Sequence, residues 1–178
     1  SYIGYAGQVQ INISGNAVVE SKYSTAIREI GNDKSQTNLV GLDITGGTVL
    51  GAKDTDAVLV RDVTAKDVNI SGGEVNASTG YGNGGAGIGG GKESSGATNI
   101  EITGDALVSA GSSGSAAIGS GESSTGETTI NIHDTNPEKG VKSAFAYGGA
   151  GIGSGRYAKG KTYVTISNAS VSTLELSL

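Results

Sequence analysis

The chain is organised around a short phrase in which two apolar residues flank a polar one and a turn follows. The phrase occurs six times, and from Ile13 its second apolar position advances by 31, 26, 32, 30 and 34 residues. Residues i and i+2 of a β-strand share a face, so each phrase predicts a short strand with an inward apolar face. The copies are Ile11–Ile13, Leu42–Ile44, Val68–Ile70, Ile100–Ile102, Ile130–Ile132 and Val164–Ile166.

A second phrase, rich in glycine, recurs with the same period. Its central residues advance by 31, 30, 30 and 34 residues, and a weaker apolar pair follows each turn of the first phrase. Two phrases with a common step indicate a repeat architecture in which each unit packs on its neighbours. The centres of the second phrase are Ile27, Val58, Ile88, Ile118 and Ile152.

Three short segments per repeat, separated by Gly, Ser and Asn turns, predict strands rather than helices. We therefore expect an all-β fold, a right-handed parallel β-helix (solenoid) of about six coils of about 30 residues, with three short strands per coil. An antiparallel β-sandwich is the alternative. Residues 1–178 form one domain, and the lack of a capping segment at either end predicts a fragment of a longer chain.

The amino-acid composition excludes several classes of function. The chain has 178 residues, 32 Gly, one His, no Cys and a net charge of −5. The absence of Cys excludes zinc and iron–sulfur sites built on thiolates, and a single His excludes a multi-histidine metal site. The acidic balance argues against nucleic acid. No apolar run approaches the roughly 20 residues of a membrane span.

The glycine phrase at Ala150–Gly155 and the phrase at Val68–Val75 carry a resemblance. They resemble glycine-rich repeats of large secreted or wall-attached proteins of Gram-positive bacteria, and more loosely are similar to clostridial β-helix domains that bind plant cell-wall polysaccharide. The resemblance covers about residues 66–171, whereas Ala26–Glu29 and Ala57–Val60 depart from it with bulky side chains. It implies an extracellular or cell-surface protein with a carbohydrate-associated or adhesive role.

The glycine phrase is the candidate ligand site. If the isoleucines at its centre point inward, the small residues beside them point outward and form a flat glycine floor with tyrosines at its edges. Such a floor suits a sugar ring; alternatively, small residues let a crossing loop or a second subunit pack closely. The predicted ligand-binding residues are Tyr81, Tyr147, Tyr157, Lys92, Arg156, Gly87, Gly89, Gly151 and Gly153.

Charged residues supply three further hypotheses. Lys92, Glu122 and Arg156 occupy one place in successive coils, where opposite charges fix register or the two cations contact an acidic sugar. A group of acidic residues is the one candidate calcium site, and no other cofactor is expected. The alternative is that these residues are solvated acids, since the sequence lacks the calcium-binding nonapeptide of β-rolls. The candidate metal ligands are Asp54, Asp56 and Asp62.

The sequence as a whole favours a non-catalytic carbohydrate-binding or adhesive module of a secreted or surface bacterial protein, with a polysaccharide or glycan as partner. One alternative is a structural stalk or spacer without a ligand. Another is part of a β-helix polysaccharide lyase or hydrolase, with Asp43, Asp67 and Glu101 in adjacent coils as candidate acids. Unpaired strand edges also predict end-to-end or lateral association with another chain.

Overall fold

A computed structural model describes residues 7–20, 27–28, 37–50, 58–60, 66–78 and 84–175. The regular elements of these residues are fifteen β-strands, and every pairing between them is parallel. The all-β parallel solenoid is thereby confirmed, while its right-handed winding stays a prediction. Within the described ranges, no helix is long and apolar enough to cross a membrane.

The strands are β1 (Gly7–Ile13), β2 (Val18–Glu20), β3 (Ile27–Arg28), β4 (Thr37–Leu50), β5 (Val58–Val60), β6 (Lys66–Ser78), β7 (Ile88–Gly90), β8 (Thr98–Gly104), β9 (Leu107–Ser113), β10 (Ile118–Gly119), β11 (Thr128–Thr135), β12 (Gly140–Tyr147), β13 (Ile152–Gly153), β14 (Thr162–Ser167) and β15 (Val171–Glu175).

These strands stack in three ladders. The first contains β1, the starts of β4 and β6, then β8, β11 and β14; the second contains β2, the ends of β4 and β6, then β9, β12 and β15. The glycine ladder contains β3, β5, β7, β10 and β13. Among the described residues the glycine ladder has five strands and each of the other two ladders has six, so the coil count differs slightly from the predicted six.

The apolar positions of each phrase lie in register, as their spacing predicts. The second apolar positions of the first ladder pair in sequence from Ile13 to Ile166, and a valine column runs through the second ladder from Val19 to Val171. The inner members of these columns are fully buried. The core is therefore a thin stack of aliphatic side chains in which each coil depends on its neighbours.

The glycine phrase folds back on itself instead of continuing as an extended strand. The N–H of Ala86 donates to the carbonyl of Gly90 at 2.9 Å, and the same bond recurs from Ala150 to Ser154 at 3.1 Å. The chain thus reverses within five residues and places Ile88 at the tip of the loop, fully buried in the core. In the coils of Ile88, Ile118 and Ile152, the third side of the solenoid is consequently a row of stacked inward loops.

Candidate functional site

The glycines of the inward loops are packed between the other two ladders. A Cβ on Gly87 would lie 2.8 Å from the carbonyl oxygen of Gly111 in β9. A Cβ on Gly89 would collide with the carbonyl oxygen of Gly119 and lie 3.1 Å from the Cδ1 of Ile100 in β8. A side chain added to Gly87 or Gly89 would therefore require the neighbouring backbone to move.

The expected exposed glycine floor is therefore wrong. Gly87, Gly89 and Gly153 are buried and Gly151 is half-buried, because the fold-back turns the residues beside each isoleucine towards β8 and β9 rather than towards solvent. The alternative interpretation, in which small residues let a crossing loop pack closely, agrees with this arrangement. A sugar has no flat surface to contact at the buried glycines.

Two exposed tyrosines lie close together in the chain fold at the corner between the second ladder and the glycine ladder. The N–H of Gly114 donates to the carbonyl of Tyr147 at 2.7 Å, and the N–H of Arg156 donates to the carbonyl of Gly114 at 3.2 Å. Tyr147 is 44% exposed and Tyr157 is 64% exposed. We call Tyr147, Arg156 and Tyr157 the tyrosine–arginine corner.

Within this corner, the arginine covers one tyrosine ring. The Cζ of Arg156 lies 4.6 Å from the ring centroid of Tyr157, and its Nη2 donates to the Tyr157 hydroxyl at 2.6 Å. This hydrogen bond raises the pKa of Arg156 from its ordinary value, and a guanidinium is charged in proteins in any case. The pair forms a cation–π contact at the surface of the protein.

Tyr157 has an unfavourable backbone conformation for so large a residue. Its φ is +59°, and the equivalent residues of the two preceding coils, Glu93 and Ser123, have φ of +59° and +57°. Each is the third residue of a tight turn, closed in the last case by the N–H of Ala158 donating to the carbonyl of Gly155 at 3.2 Å. A left-handed residue other than Gly costs about 1–2 kcal/mol, so the backbone gives no reason for a tyrosine.

The predicted charge column is present beside this turn. The Nζ of Lys92 lies 3.6 Å from the Oε2 of Glu122, and the N–H of Ser123 donates to the carbonyl of Arg156 at 2.9 Å. The structure thus aligns the three coils and pairs Lys92 with a carboxylate one coil away. Arg156 is left as the cation of the tyrosine–arginine corner.

Four predicted site residues cannot be placed in this geometry. Tyr81 and the candidate calcium ligands Asp54, Asp56 and Asp62 lie outside the described residues. Among the residues that are described, no group of three or more His, Asp or Glu is arranged to hold a metal ion.

The candidate acids of the first ladder have other partners. The carboxylate of Asp43 accepts hydrogen bonds of 2.8 Å from Gln10 and from Asn69. The Oε1 of Glu101 lies 3.2 Å from the Nε2 of His133. These contacts therefore hold Asp43 between the side-chain amides of the neighbouring coils. The structure describes the backbone of Asp67 but not its side chain.

Sequence reasoning missed the partners of the one histidine. The Nδ1 of His133 lies 3.0 Å from the Oδ2 of Asp134, and its Nε2 faces Glu101 in the preceding coil. The hydrogen bonds to Asp134 and then to Glu101 raise the pKa of His133, and the bond to His133 lowers the pKa of Asp134. Strand alternation was the available signal, because it directs residues 131 and 133 outward together.

Sequence reasoning also missed an open groove of about 700 Å³ at the corner between the first and second ladders. Its wall is a longer turn after β11, where the N–H of Asn136 donates to the carbonyl of Gly104 at 2.8 Å and its Nδ2 to Asp105 at 2.9 Å. The signals were the 34-residue step and the only Pro of the chain. The groove is lined by Thr45, Ser71, Gly72, Gly73, Gly104, Asp105, Asp134, Thr135, Asn136 and Pro137.

Comparisons with known proteins give no independent evidence about the function of this chain. The resemblance to glycine-rich repeats of bacterial surface proteins therefore stays a prediction from the quoted phrases. No family model matches this chain, and no curated protein or solved structure is significantly similar to it.

Proposed function

We propose that the protein is a non-catalytic carbohydrate-binding or adhesive module of a secreted or surface bacterial protein, and that the tyrosine–arginine corner contacts the glycan. The proposal depends above all on Tyr157, which is 64% exposed although its φ is positive. A residue kept at an unfavourable backbone position indicates a role for its side chain. The corner replaces the glycine floor as the proposed site.

The chemistry of the corner suits a sugar. A tyrosine has an apolar ring face, on which the C–H face of a pyranose can stack, and a polar hydroxyl at its edge. The planar guanidinium of Arg156 has five N–H donors and no acceptor, of which one is used by the Tyr157 hydroxyl. The remaining donors can bind sugar hydroxyls, or a sugar carboxylate in two-point fashion.

A glycan array on the folded domain, run with and without Ca²⁺, tests this proposal. We expect saturable binding to one glycan class, lost in Tyr157→Gly and weakened in Arg156→Ala. Glycine accepts the positive φ, so the first variant removes the ring without straining the turn. Tyr163→Ala is the matched control, since Tyr163 is also exposed (48%) but lies in β14; it should bind as wild type does.

The competing function is a structural stalk or spacer without a ligand. It is favoured by the buried glycine loops, because packing alone explains why the glycine phrase recurs. A blank array with a sample whose β-sheet circular dichroism is intact would refute glycan binding and support the spacer. Turnover of a polyuronide that is lost in Asp43→Asn would instead establish a lyase or hydrolase.

A further inference from the structure

The outward side of β12 carries the only phenylalanine of the chain, two residues before Tyr147 of the tyrosine–arginine corner. Ala144 and Ala146 are buried, so strand alternation directs Phe145 and Tyr147 outward together. Phe145 is half-buried, whereas Tyr147 is exposed. Alternate residues of a strand are about 6.6 Å apart, so the two aromatic side chains are neighbours on one face of the solenoid.

Small residues lie beside this aromatic pair on the side of the preceding coil. Gly111 of β9 is in register with Phe145. The next outward pair is Ser113 with Tyr147. A glycine and a serine are too short to cover the neighbouring rings, so the face is open in this direction. On the other side, β15 has Leu174 in register with Phe145, and the structure describes the backbone of that residue.

The tyrosine–arginine corner lies at the end of the same face. Gly148 follows Tyr147 and is exposed. A Cβ on Gly148 would lie 3.9 Å from the Cδ of Arg156 and 3.9 Å from the Cα of Gly114, which places the Arg156 side chain directly beyond the end of β12. We call this row of side chains the aromatic strip: Phe145, Tyr147, Arg156 and Tyr157.

We propose that the aromatic strip binds an internal stretch of a glycan chain, rather than one terminal sugar, and that Phe145 contacts an additional sugar residue. The inference rests on the proposed glycan binding and extends it to the class of ligand. Tyr147 and Tyr157 are exposed, so the strip contacts one side of a sugar and does not enclose a chain end. An exposed aromatic contact changes an affinity by about two- to tenfold, so binding becomes strong only when several rings contact successive sugars of one chain.

A structural role is the alternative for Phe145. An aromatic residue in register with a glycine of the next strand can cover the glycine backbone and stabilise the sheet. Loss of such a residue lowers the stability of the protein, but it does not alter how affinity depends on the length of the glycan. The length dependence is therefore the measurement that separates the two roles.

Isothermal titration calorimetry with size series of one to six sugars from cellulose, chitin and polygalacturonate tests the proposal, since these series cover neutral, acetamido and acidic chains. We expect the wild-type affinity for one series to rise at least about tenfold from two sugars to six, because a longer chain contacts more rings. Phe145→Ser should weaken binding of the six-sugar chain by about two- to tenfold and leave binding of two sugars unchanged. Serine already occupies the preceding outward position of β12, Ser143.

Two control variants accompany this measurement. Phe145→Tyr keeps the ring and should bind every length as the wild type does. Tyr163→Ser removes an exposed ring from β14, outside the strip, and should also bind as the wild type does.

The possible failures are distinguishable. Equal wild-type affinity for all lengths, or an equal effect of Phe145→Ser on two and six sugars, would overturn this proposal and leave glycan binding at the corner in place. No binding of any series by the folded protein, together with a blank glycan array, would overturn both proposals.

Discussion

Two buried serines in the turns around the glycine ladder should respond in opposite ways to the same substitution. Ser115 is fully buried, donates to the carbonyl of Gly84 and accepts a hydrogen bond of 2.8 Å from the N–H of Glu122. Ser124 is 1% exposed, and its hydroxyl has no hydrogen-bond partner. Serine-to-alanine replacement removes one oxygen atom at each site, so the partners alone make the difference.

The magnitudes follow from these contacts. Removing a buried hydrogen-bond partner costs about 1–3 kcal/mol. The Glu122 N–H also donates to the Gly84 carbonyl at 2.7 Å, so neither group loses every partner in Ser115→Ala, and we expect a loss of about 1–2 kcal/mol. Ser124→Ala removes an unpaired buried hydroxyl and should stabilise the protein by up to about 1 kcal/mol. The following coil has Ala158 at the equivalent turn position.

Urea unfolding followed by circular dichroism provides the assay. The unfolding midpoint should fall for Ser115→Ala and rise, or stay unchanged, for Ser124→Ala, with similar m-values because the buried area hardly changes. Midpoints that move down by equal amounts would refute the reasoning, since they would mean that loss of the oxygen atom itself, and not of its partners, determines the cost.

Three further predictions concern the core and the histidine. Gly119→Ala should abolish folding, because the φ of Gly119 is +141° and a Cβ there would collide with the carbonyl oxygen of Gly153. Gly15→Ala should lower the melting temperature only slightly, because Gly15 has a φ of +63° and open space around it. A folded Gly119→Ala protein in gel filtration and circular dichroism would contradict this prediction. Ile118→Ala should cost about 2–5 kcal/mol in urea unfolding, since it empties the buried tip of a glycine loop, and a cost below Ile118→Val would contradict it. The pKa of His133 in the folded protein is raised from 6.5. The stabilisation of the folded protein by the protonated histidine is therefore complete below pH 6.5 and is lost as the pH rises through the raised pKa. The melting temperature of the wild type should fall over this pH range, and that of His133→Ser should not.

The sequence by itself determined the ladders and their register. Strand alternation is a local property, and a repeat of about 30 residues brings equivalent alternations one above the other. The predicted column from Ile13 to Ile166 is therefore the observed one. The coil count differed slightly because, in the described part of the chain, the glycine ladder has one strand fewer than the other two.

The tertiary structure alone decided where the glycine phrase points and which polar groups meet. Alternation placed Gly87 and Gly89 outward, but the hydrogen bond from Ala86 to Gly90 reverses the chain and turns both glycines towards β8 and β9. A glycine phrase has no side chain that prefers core or solvent, so its sequence does not reveal this reversal. The contact between His133 and Glu101 likewise joins residues 32 positions apart, and it depends on how two coils align and where two side chains turn.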